Sequence, residues 1–373
     1  MTQAEAGAPT AQPHRHIHYF HGFDPASVAR YRRIFQAASA RLGVEIEDLA
    51  EGTGWLARRG EVLTAFHHAR YEDLVRAWQG GPLWKRVARG LLSLAFYLGD
   101  GALGRMARLG SRNLGLALSP LVVIIAVPLC ALVIGGAIGG ATAVIVALIV
   151  SLIVLALCLP ALYLHLVLDL FAYMRVLAHG RGPVWQAYAD RIGMIAGTIR
   201  PGPAETLLVG HSLGGITALL TMERLLDLWP AGRPLSLLTL GSTHGTVLVQ
   251  KGAGRDRLAA AIRRIAADPR VTWVDVSAPR DAFCLPLLDP LVLTGADPGA
   301  ESPLVISARL ARAPRIPGDR RTVFAAMRRH MGYLLAPVDG SGFDFADTTT
   351  GPETLHARFA DRNPSPRARM WQG

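Results

Sequence analysis

The chain has 373 residues, a formal net charge of +11 and 51% hydrophobic residues, and its mean hydropathy is +0.29. This length fits one large α/β domain with an insertion, and the three cysteines are too few for a disulfide framework, which favours a reducing compartment. The basic charge comes with no nucleic-acid-binding module and no basic–aromatic stripe, so nucleic acid is not a predicted partner.

The N-terminal part begins with a polar segment, residues 1–13, which lacks the apolar core of a signal peptide and is predicted to be disordered. A short strand over 16–20 is followed by His21-Gly22-Phe23. Further predicted elements are a helix over 26–42, strands over 44–48 and 62–69, and a helix from 71 to 78. The region also holds four closely spaced histidines, but no matching ligand cluster stands out elsewhere; we therefore predict no metal and no cofactor. These histidines are His14, His16, His18 and His21.

The middle of the chain is strongly apolar. Residues 84–98 interleave Leu, Val and Phe with Lys and Arg, as in a helix that lies in a membrane interface. Residues 113–168 contain no Asp, Glu, Lys or Arg. Because a spanning helix needs roughly 20 apolar residues, this run is long enough for two, with the glycines of 135–140 at the turn. A transmembrane helical hairpin is predicted over 113–172.

Basic residues flank the apolar run on both sides. Such residues mark the cytoplasmic side of a span, so a hairpin with both ends in the cytoplasm is the simplest topology. The prediction is a protein of the inner (cytoplasmic) membrane whose folded domain faces the cytoplasm and meets anionic lipid headgroups. The oligomeric state stays open. The flanking residues are Lys85, Arg86, Arg89, Arg105, Arg108 and Arg112 before the run, and Arg175 and Arg181 after it.

After the insertion, strands alternate with helices again. Helices are predicted over 184–199, 216–228, 256–266 and 323–335, and strands over 207–209, 235–240 and 271–276. This alternation indicates a mostly parallel sheet with helices on both faces, which is the α/β class. The domain is then built from residues 14–112 and 173–361. A basic tail, 362–373, is predicted to be disordered.

The most informative motif is the run from Gly210 through Ser212 to Gly214, which stands between the predicted strand and helix. A Gly-x-Ser-x-Gly sequence in this context indicates a nucleophile elbow, a strained turn that exposes the serine at the carboxyl edge of the sheet. Gly210 and Gly214 are needed because larger side chains would collide in the turn. Ser242, beside His244, is a weaker candidate nucleophile because it lacks the flanking elbow.

A serine nucleophile needs a base and an acid that orients it, and these follow in the order acid, then histidine. Asp281 is the predicted acid because it lies in a loop just beyond the strand over 271–276; Asp275 and Asp289 are the alternatives. His330 is the predicted base because it is the first histidine after Asp281. Among the other histidines, His356 lies near the tail and His244 precedes the acid.

The negative oxygen of a tetrahedral intermediate needs two backbone N–H donors. One is expected from Leu213, the residue after the nucleophile. The other is expected from a loop after an early strand. Phe23 is the candidate there, since the preceding Gly22 permits close approach of the backbone.

Taken together, the Gly-His-Ser-Leu-Gly-Gly run at 210–215, the early His-Gly pair, Asp281 and His330 resemble serine hydrolases of the α/β-hydrolase superfamily, in the form typical of lipases and esterases. The resemblance implies an eight-stranded, mostly parallel sheet with the catalytic loops at one edge. The charge-free insertion departs from the family pattern and resembles an anchor more than a substrate lid. The predicted function is a membrane-anchored serine hydrolase that cleaves lipid-like acyl esters through an acyl-enzyme.

Two other functions fit the same residues. An acyltransferase or thioesterase would use the same triad and differ only in the acyl acceptor or the bond cleaved. A membrane scaffold with a non-catalytic hydrolase fold is the third possibility, because a fold does not fix a function.

Overall fold

A computed structural model describes residues 13–25, 28–49, 52–297, 302–310, 313–316, 318–337 and 342–365. The disorder predicted for 1–13 and 362–373 concerns segments that lie mostly outside these residues. Of those two segments, only Pro13 and residues 362–365 are described.

The centre of the domain is an eight-stranded sheet of order β2-β3-β4-β1-β5-β6-β7-β8. The pairs β2–β3 and β3–β4 are antiparallel and every other pair is parallel. The predicted mostly parallel α/β sheet is therefore confirmed. The strands are β1 (Arg15–Phe20), β2 (Glu45–Asp48), β3 (Gly54–Arg59), β4 (Val62–His68), β5 (Glu205–His211), β6 (Leu235–Leu240), β7 (Val271–Ser277) and β8 (Leu304–Ser307).

Helices cover both faces of this sheet. Successive strand residues point to opposite faces, and Leu208 belongs to one buried apolar cluster while Leu207 and Val209 belong to another. The helices are α1 (Val28–Ser39), α2 (Glu72–Gln79), α3 (Leu83–Gly99), α4 (Ala102–Leu109), α5 (Ser111–Ile138), α6 (Gly140–Ala161), α7 (Leu164–His179), α8 (Pro183–Thr198), α9 (Leu213–Leu228), α10 (His244–Leu248), α11 (Ala253–Ala267), α12 (Pro290–Leu293), α13 (Ala325–Met331), α14 (Phe345–Thr350) and α15 (Leu355–Phe359).

Two of the strands were not predicted from the sequence. The strand β3 lies within the antiparallel part of the sheet, and β8 is a four-residue edge strand. The helix predicted over 323–335 is instead divided into α13 between two short 3₁₀ turns. Short elements of this kind carry too few residues for a clear hydrophobic period.

The helices α5 and α6 form a hairpin, and both are long and apolar enough to cross a membrane. They are not core helices of the domain, since only 6% and 17% of their most apolar windows are buried. The two helices pack closely at Gly135, where an added Cβ would lie 2.9 Å from the Cα of Val144. The glycine is therefore used for close helix packing.

The hairpin ends at Ala161, earlier than the predicted limit of residue 172. The next helix, α7, belongs to the domain core, where Phe171 and Met174 are almost fully buried. The expected boundary at 172/173 therefore falls inside a core helix. A helix that is buried on all sides is apolar on all sides, so hydropathy alone merged it with the hairpin.

Most of the basic residues that flank the apolar run form contacts within the folded domain. Arg86 and Arg89 both form ion pairs with Asp169 of α7, whose side chain is fully buried. Arg105, Arg112 and Arg175 donate to backbone carbonyl oxygens of the folded domain. Of the eight flanking residues named from the sequence, the exposed ones whose side chains form neither an ion pair nor a hydrogen bond among the described residues are Lys85, Arg108 and Arg181.

Candidate active site

Ser212 stands at the sharp turn from β5 into α9. Its backbone has φ 59° and ψ −124°, and it is one of three non-glycine residues with positive φ in the described part of the chain. Such a conformation is costly and persists only where the surrounding structure imposes it. The backbone therefore has the strained strand-turn-helix geometry predicted for a nucleophile elbow.

The elbow glycines are required by contacts with the backbone. A Cβ at Gly210 would lie 2.5 Å from the carbonyl oxygen of Gly214. A Cβ at Gly214 would lie 2.0 Å from the carbonyl oxygen of Phe20 at the end of β1. Backbone atoms cannot move aside as flexible side chains do, so only glycine fits at either position.

Asp281 and His330 lie together, as predicted. The Nδ1 of His330 is 2.8 Å from Oδ2 of Asp281, and both side chains are buried. A carboxylate only accepts hydrogen bonds, so Nδ1 carries the proton and Nε2 is left as the acceptor in the neutral ring. That Nε2 atom is buried and has no hydrogen-bond partner among the described residues.

Asp281 is held in its ionised form. Burial alone would raise its pKa, but His330 and the hydrogen-bond donors around the carboxylate outweigh burial and lower the pKa below its usual value. The donors besides His330 are the Phe283 amide, 2.9 Å from Oδ1, and two groups at Oδ2, the Tyr333 hydroxyl at 3.0 Å and the Cys284 thiol at 3.5 Å. The carboxylate can therefore orient His330 and stabilise it when it becomes charged.

Two supporting residues were missed by the sequence analysis. Tyr333 donates to Asp281 and accepts a hydrogen bond of 2.8 Å from the Ala278 amide. His211 donates from Nε2 to the carbonyl oxygen of His330 over 2.9 Å, and burial lowers the pKa of His211 to about 3, so its ring is neutral. The only sequence signal was position: His211 is adjacent to Ser212, and Tyr333 follows His330 by one helical turn.

Ser212 and His330 line one cavity of about 320 Å³, mostly with apolar walls. Asp24 and Arg321 also line it, and these two charged side chains form an ion pair 3.1 Å apart. One wall comes from the apolar α5–α6 hairpin and the segment after it. The residues of that wall are Leu116, Ser119 and Val123 of α5, Leu162 and Tyr163 of the connection, and Leu164, Leu166, Val167 and Leu170 of α7.

The two predicted backbone donors lie at this end of the sheet. Gly22 is close to the serine, since an added Cβ would be 3.0 Å from Ser212 Cβ and 3.3 Å from its Oγ. Phe23 lines the same cavity. Neither the Leu213 amide nor the Phe23 amide has a hydrogen-bond acceptor among the described residues. Both N–H groups are thus free to bind an added oxygen atom.

The alternative acids have other roles. Asp275 lies within β7 and accepts a hydrogen bond from the Thr239 hydroxyl. Asp289 caps the short helix α12 by accepting from the Leu291 amide at 2.8 Å. Neither lines the cavity that contains Ser212.

The alternative histidines and serine also lie outside this cavity. His356 is on α15, 3.5 Å from the Thr272 hydroxyl. His244 begins α10 and is buried, with a pKa that burial lowers to about 4. Ser242 packs against Gly215, where an added Cβ would lie 2.1 Å from the serine Oγ.

The N-terminal histidines divide into two groups. His16 and His18 both stack against His67 of β4, and the His16 Nδ1 is 3.0 Å from the His67 Nε2. His21 lies instead beside His68 and Glu72. The backbone N–H of His14 donates to the Leu63 carbonyl oxygen, and the His14 carbonyl oxygen accepts from the Ala204 N–H. The alternation of His16 and His18 in β1 predicts that they share one face of the strand, but the sequence did not predict the partners of these histidines, which come from β4 and α2.

Comparison of the chain with models of protein families, with characterised proteins and with solved structures found no match. The functional argument therefore depends on the geometry of the site itself.

Proposed function

We propose that the chain is a membrane-anchored serine hydrolase that cleaves lipid-like acyl esters, with a fold of the α/β-hydrolase type. The observation that carries this proposal is the position of Ser212, which is strained at the turn after β5 and lines the same apolar cavity as His330, the partner of Asp281. A serine hydroxyl is a poor nucleophile unless a base takes its proton. Ser212 and His330 line this cavity together, and the free ring nitrogen of His330 has no hydrogen-bond partner among the described residues.

The proposed reaction follows from these groups. The Ser212 Oγ attacks the acyl carbonyl while the Nε2 of His330 takes the hydroxyl proton, and the Asp281 carboxylate stabilises the charged ring. The Leu213 and Phe23 amides bind the negative oxygen. His330 then protonates the leaving alcohol. In the second step, a water molecule attacks the acyl carbonyl as His330 takes its proton, and His330 returns that proton to the Ser212 Oγ as the acid leaves.

The cavity wall favours a substrate with a long acyl chain. Leu116 and Val123 belong to the same helix as the exposed apolar stretch proposed to cross the membrane. An acyl chain that enters from the bilayer exchanges one apolar environment for another, so its reactive end can reach Ser212 without exposure of the chain to water. A short soluble ester uses little of this wall.

The proposed location is the cytoplasmic membrane, with the domain on the cytoplasmic side. Both ends of the hairpin enter the same folded domain, and the exposed cations Lys85, Arg108 and Arg181 are on that side of the hairpin. Cations beside a span favour the cytoplasmic face and attract anionic lipids.

The first test is labelling with a fluorophosphonate probe in detergent and in liposomes. The wild type should take up the probe at one serine, and Ser212→Ala should abolish the labelling. Ser242→Ala is the matched control because it removes another buried serine hydroxyl near the elbow, and it should label normally. Persistent labelling of Ser212→Ala, or an unlabelled but folded wild type in liposomes, would contradict the proposal.

The substrate class is tested separately with esters of increasing acyl length in liposomes. Activity should increase with chain length, and the product should be the free acid even when an alcohol acceptor is present. Transfer of the acyl group to the acceptor would identify a transferase instead.

A further inference from the structure

A second group of polar side chains lies outside the proposed triad, where three elements meet. His21 follows β1, His68 ends β4 and Glu72 begins α2. Because β1 and β4 are parallel and Tyr19 pairs with His68, both histidines lie at the carboxyl edge of the sheet. One nitrogen from each histidine and one oxygen from Glu72 all lie within 4.8 Å of one another.

Both histidines are buried and Glu72 is partly buried, and four polar atoms of the three side chains have no hydrogen-bond partner among the described residues. His21 is 0% exposed and His68 is 4% exposed. The Nε2 of His21, both ring nitrogens of His68 and the Oε2 of Glu72 have no hydrogen-bond partner among the described residues. A buried polar atom without a partner lowers the stability of the fold. A bound ion or water molecule that contacts these atoms would remove that cost.

The His21 ring has its Nε2 atom available as a ligand atom. The ring stacks on His68, with centroids 5.0 Å and planes 11° apart, so binding of one ion by both rings requires one of them to rotate. The His21 Nδ1 is 2.8 Å from the carbonyl oxygen of Gly22, and a carbonyl only accepts, so Nδ1 carries the proton and Nε2 presents a lone pair. A histidine that binds a metal nearly always donates its other ring N–H to a carbonyl or carboxylate in this way. The ring is also fixed by stacking on Tyr71, with centroids 4.2 Å apart.

We propose that His21, His68 and Glu72 bind a divalent transition-metal ion, with Zn²⁺ as the best match. Two imidazoles and one carboxylate form a ligand set that suits Zn²⁺, and a water molecule would complete the tetrahedron. Bonds of about 2.0–2.2 Å hold tetrahedral ligand atoms about 3.4 Å apart, so binding draws the three side chains together.

The only ion pair that competes for Glu72 among the described residues is weak. Arg70 lies 3.5 Å from Glu72 Oε1, and its side chain is 66% exposed. The Oε2 atom, which has no partner, remains available. The ion would connect β1, β4 and α2 and fix the backbone that leads into Gly22 and Phe23. The proposal does not depend on the hydrolase function, since it concerns binding and stability.

The test measures bound zinc directly. Purified full-length protein in detergent is loaded with Zn²⁺, desalted and analysed by inductively coupled plasma mass spectrometry, and its Tm is compared with and without EDTA. The wild type should retain about one zinc per chain and lose thermal stability in EDTA. His68→Gln and Glu72→Gln should each lose the bound zinc, and their Tm should not respond to EDTA.

The matched controls are His67→Gln and Asp73→Asn, the neighbours on the same strand and helix. Their zinc content should equal that of the wild type. Glu72→Gln guards against a simple folding defect because it keeps the size of the side chain. The proposal is overturned if the wild type holds no more zinc than Glu72→Gln, or if His67→Gln loses the zinc and His68→Gln retains it.

Discussion

At the residue scale, two buried aspartates have pKa values that are shifted in opposite directions. Asp281 accepts hydrogen bonds from His330, Tyr333 and the Phe283 amide, and its pKa is lowered. Asp275 lies within β7, and burial, together with the nearby Asp289, raises its pKa to about 7 although the Thr239 hydroxyl opposes that shift. Only Asp281 is suited to orient a histidine at neutral pH.

We expect Tyr333→Phe to slow ester cleavage by about tenfold, because a hydrogen bond to a charged group contributes about 1.5–3 kcal/mol. The variant also removes a donor that lowers the pKa of Asp281. The acid limb of the rate–pH profile should therefore move to higher pH, an effect that a purely structural role would not produce. Tyr188→Phe, whose hydroxyl lies 2.8 Å from Thr217, is the control and should leave the profile unchanged.

We expect Asp275→Asn to raise Tm at pH 8 and to have little effect near pH 4. A raised pKa in the folded state means that Asp275 contributes stability at low pH, which is lost as the pH rises through about 7. Asparagine cannot ionise, so the variant avoids this loss. Thermal unfolding from pH 4 to pH 8 is the measurement.

The control for this prediction is Asp268→Asn. Arg270 lowers the pKa of Asp268, so Asp268 contributes its stability at neutral pH and that contribution is lost in acid. This variant should lower Tm at pH 8. A pH-independent effect of Asp275→Asn would contradict the prediction.

Ser212, Asp281 and His330 could be predicted because each has a signal in the order of the chain. Gly210 and Gly214 frame the serine, Asp281 follows a strand, and His330 follows Asp281. Tyr333 and His68 could not be predicted in this way. Their roles depend on contacts with residues distant in the chain, and a single tyrosine or histidine carries no sign of such a contact.

At the element scale, α5 has two faces with different surroundings. Val123 lines the cavity with Ser212, whereas Val122 is 61% exposed on the outer surface of the hairpin. The same helix thus supplies a surface suited to lipid and a wall of the proposed substrate site. Another part of that cavity wall comes from α7, which is fixed in the domain core because it packs against α3 and α11.

We expect Val123→Trp to shorten the acyl chain that the site accepts. The larger side chain fills the cavity, so kcat/KM for a long-chain ester should fall by at least about tenfold, while a short ester should change by less than about twofold. Val122→Trp adds the same side chain on the exposed outer surface of the hairpin and should change neither rate. Equal loss for both ester lengths in Val123→Trp would argue that the cavity does not hold the acyl chain.

The sequence predicted the long helices better than their limits. The hairpin predicted from the charge-free run included α5, α6 and part of α7. The reason is that a core helix and a helix that spans a membrane are both apolar on every side, so hydropathy does not separate them. The strand β3 was missed for a different reason: its apolar residues Trp55 to Ala57 and its basic residues Arg58 and Arg59 stand in separate runs, so they do not alternate along the strand.

At the scale of the whole molecule, we expect both ends of the hairpin on one side of the membrane and its turn on the other. Single cysteines at Ala141, next to the turn, and at Arg181, after α7, test this in a background without Cys130, Cys158 and Cys284. Both positions are exposed.

In intact cells, an impermeant maleimide should label Ala141→Cys, whereas Arg181→Cys should be labelled only after lysis. Labelling of both positions in intact cells would contradict the predicted orientation. If neither cysteine is labelled in intact cells and both are labelled after lysis, the hairpin does not cross the bilayer.

The order of the strands has a consequence for biogenesis. The strand β1 pairs on one side with β4, which precedes the hairpin, and on the other with β5, which follows it. During synthesis, one edge of β1 therefore stays unpaired until β5 is made. More than a hundred residues, including both apolar helices, leave the ribosome before that. Contacts this distant in the chain form late, and an open edge invites aggregation. If the hairpin inserts into the membrane as proposed, its insertion beside the nascent sheet would keep the two halves of the domain close until β5 is made.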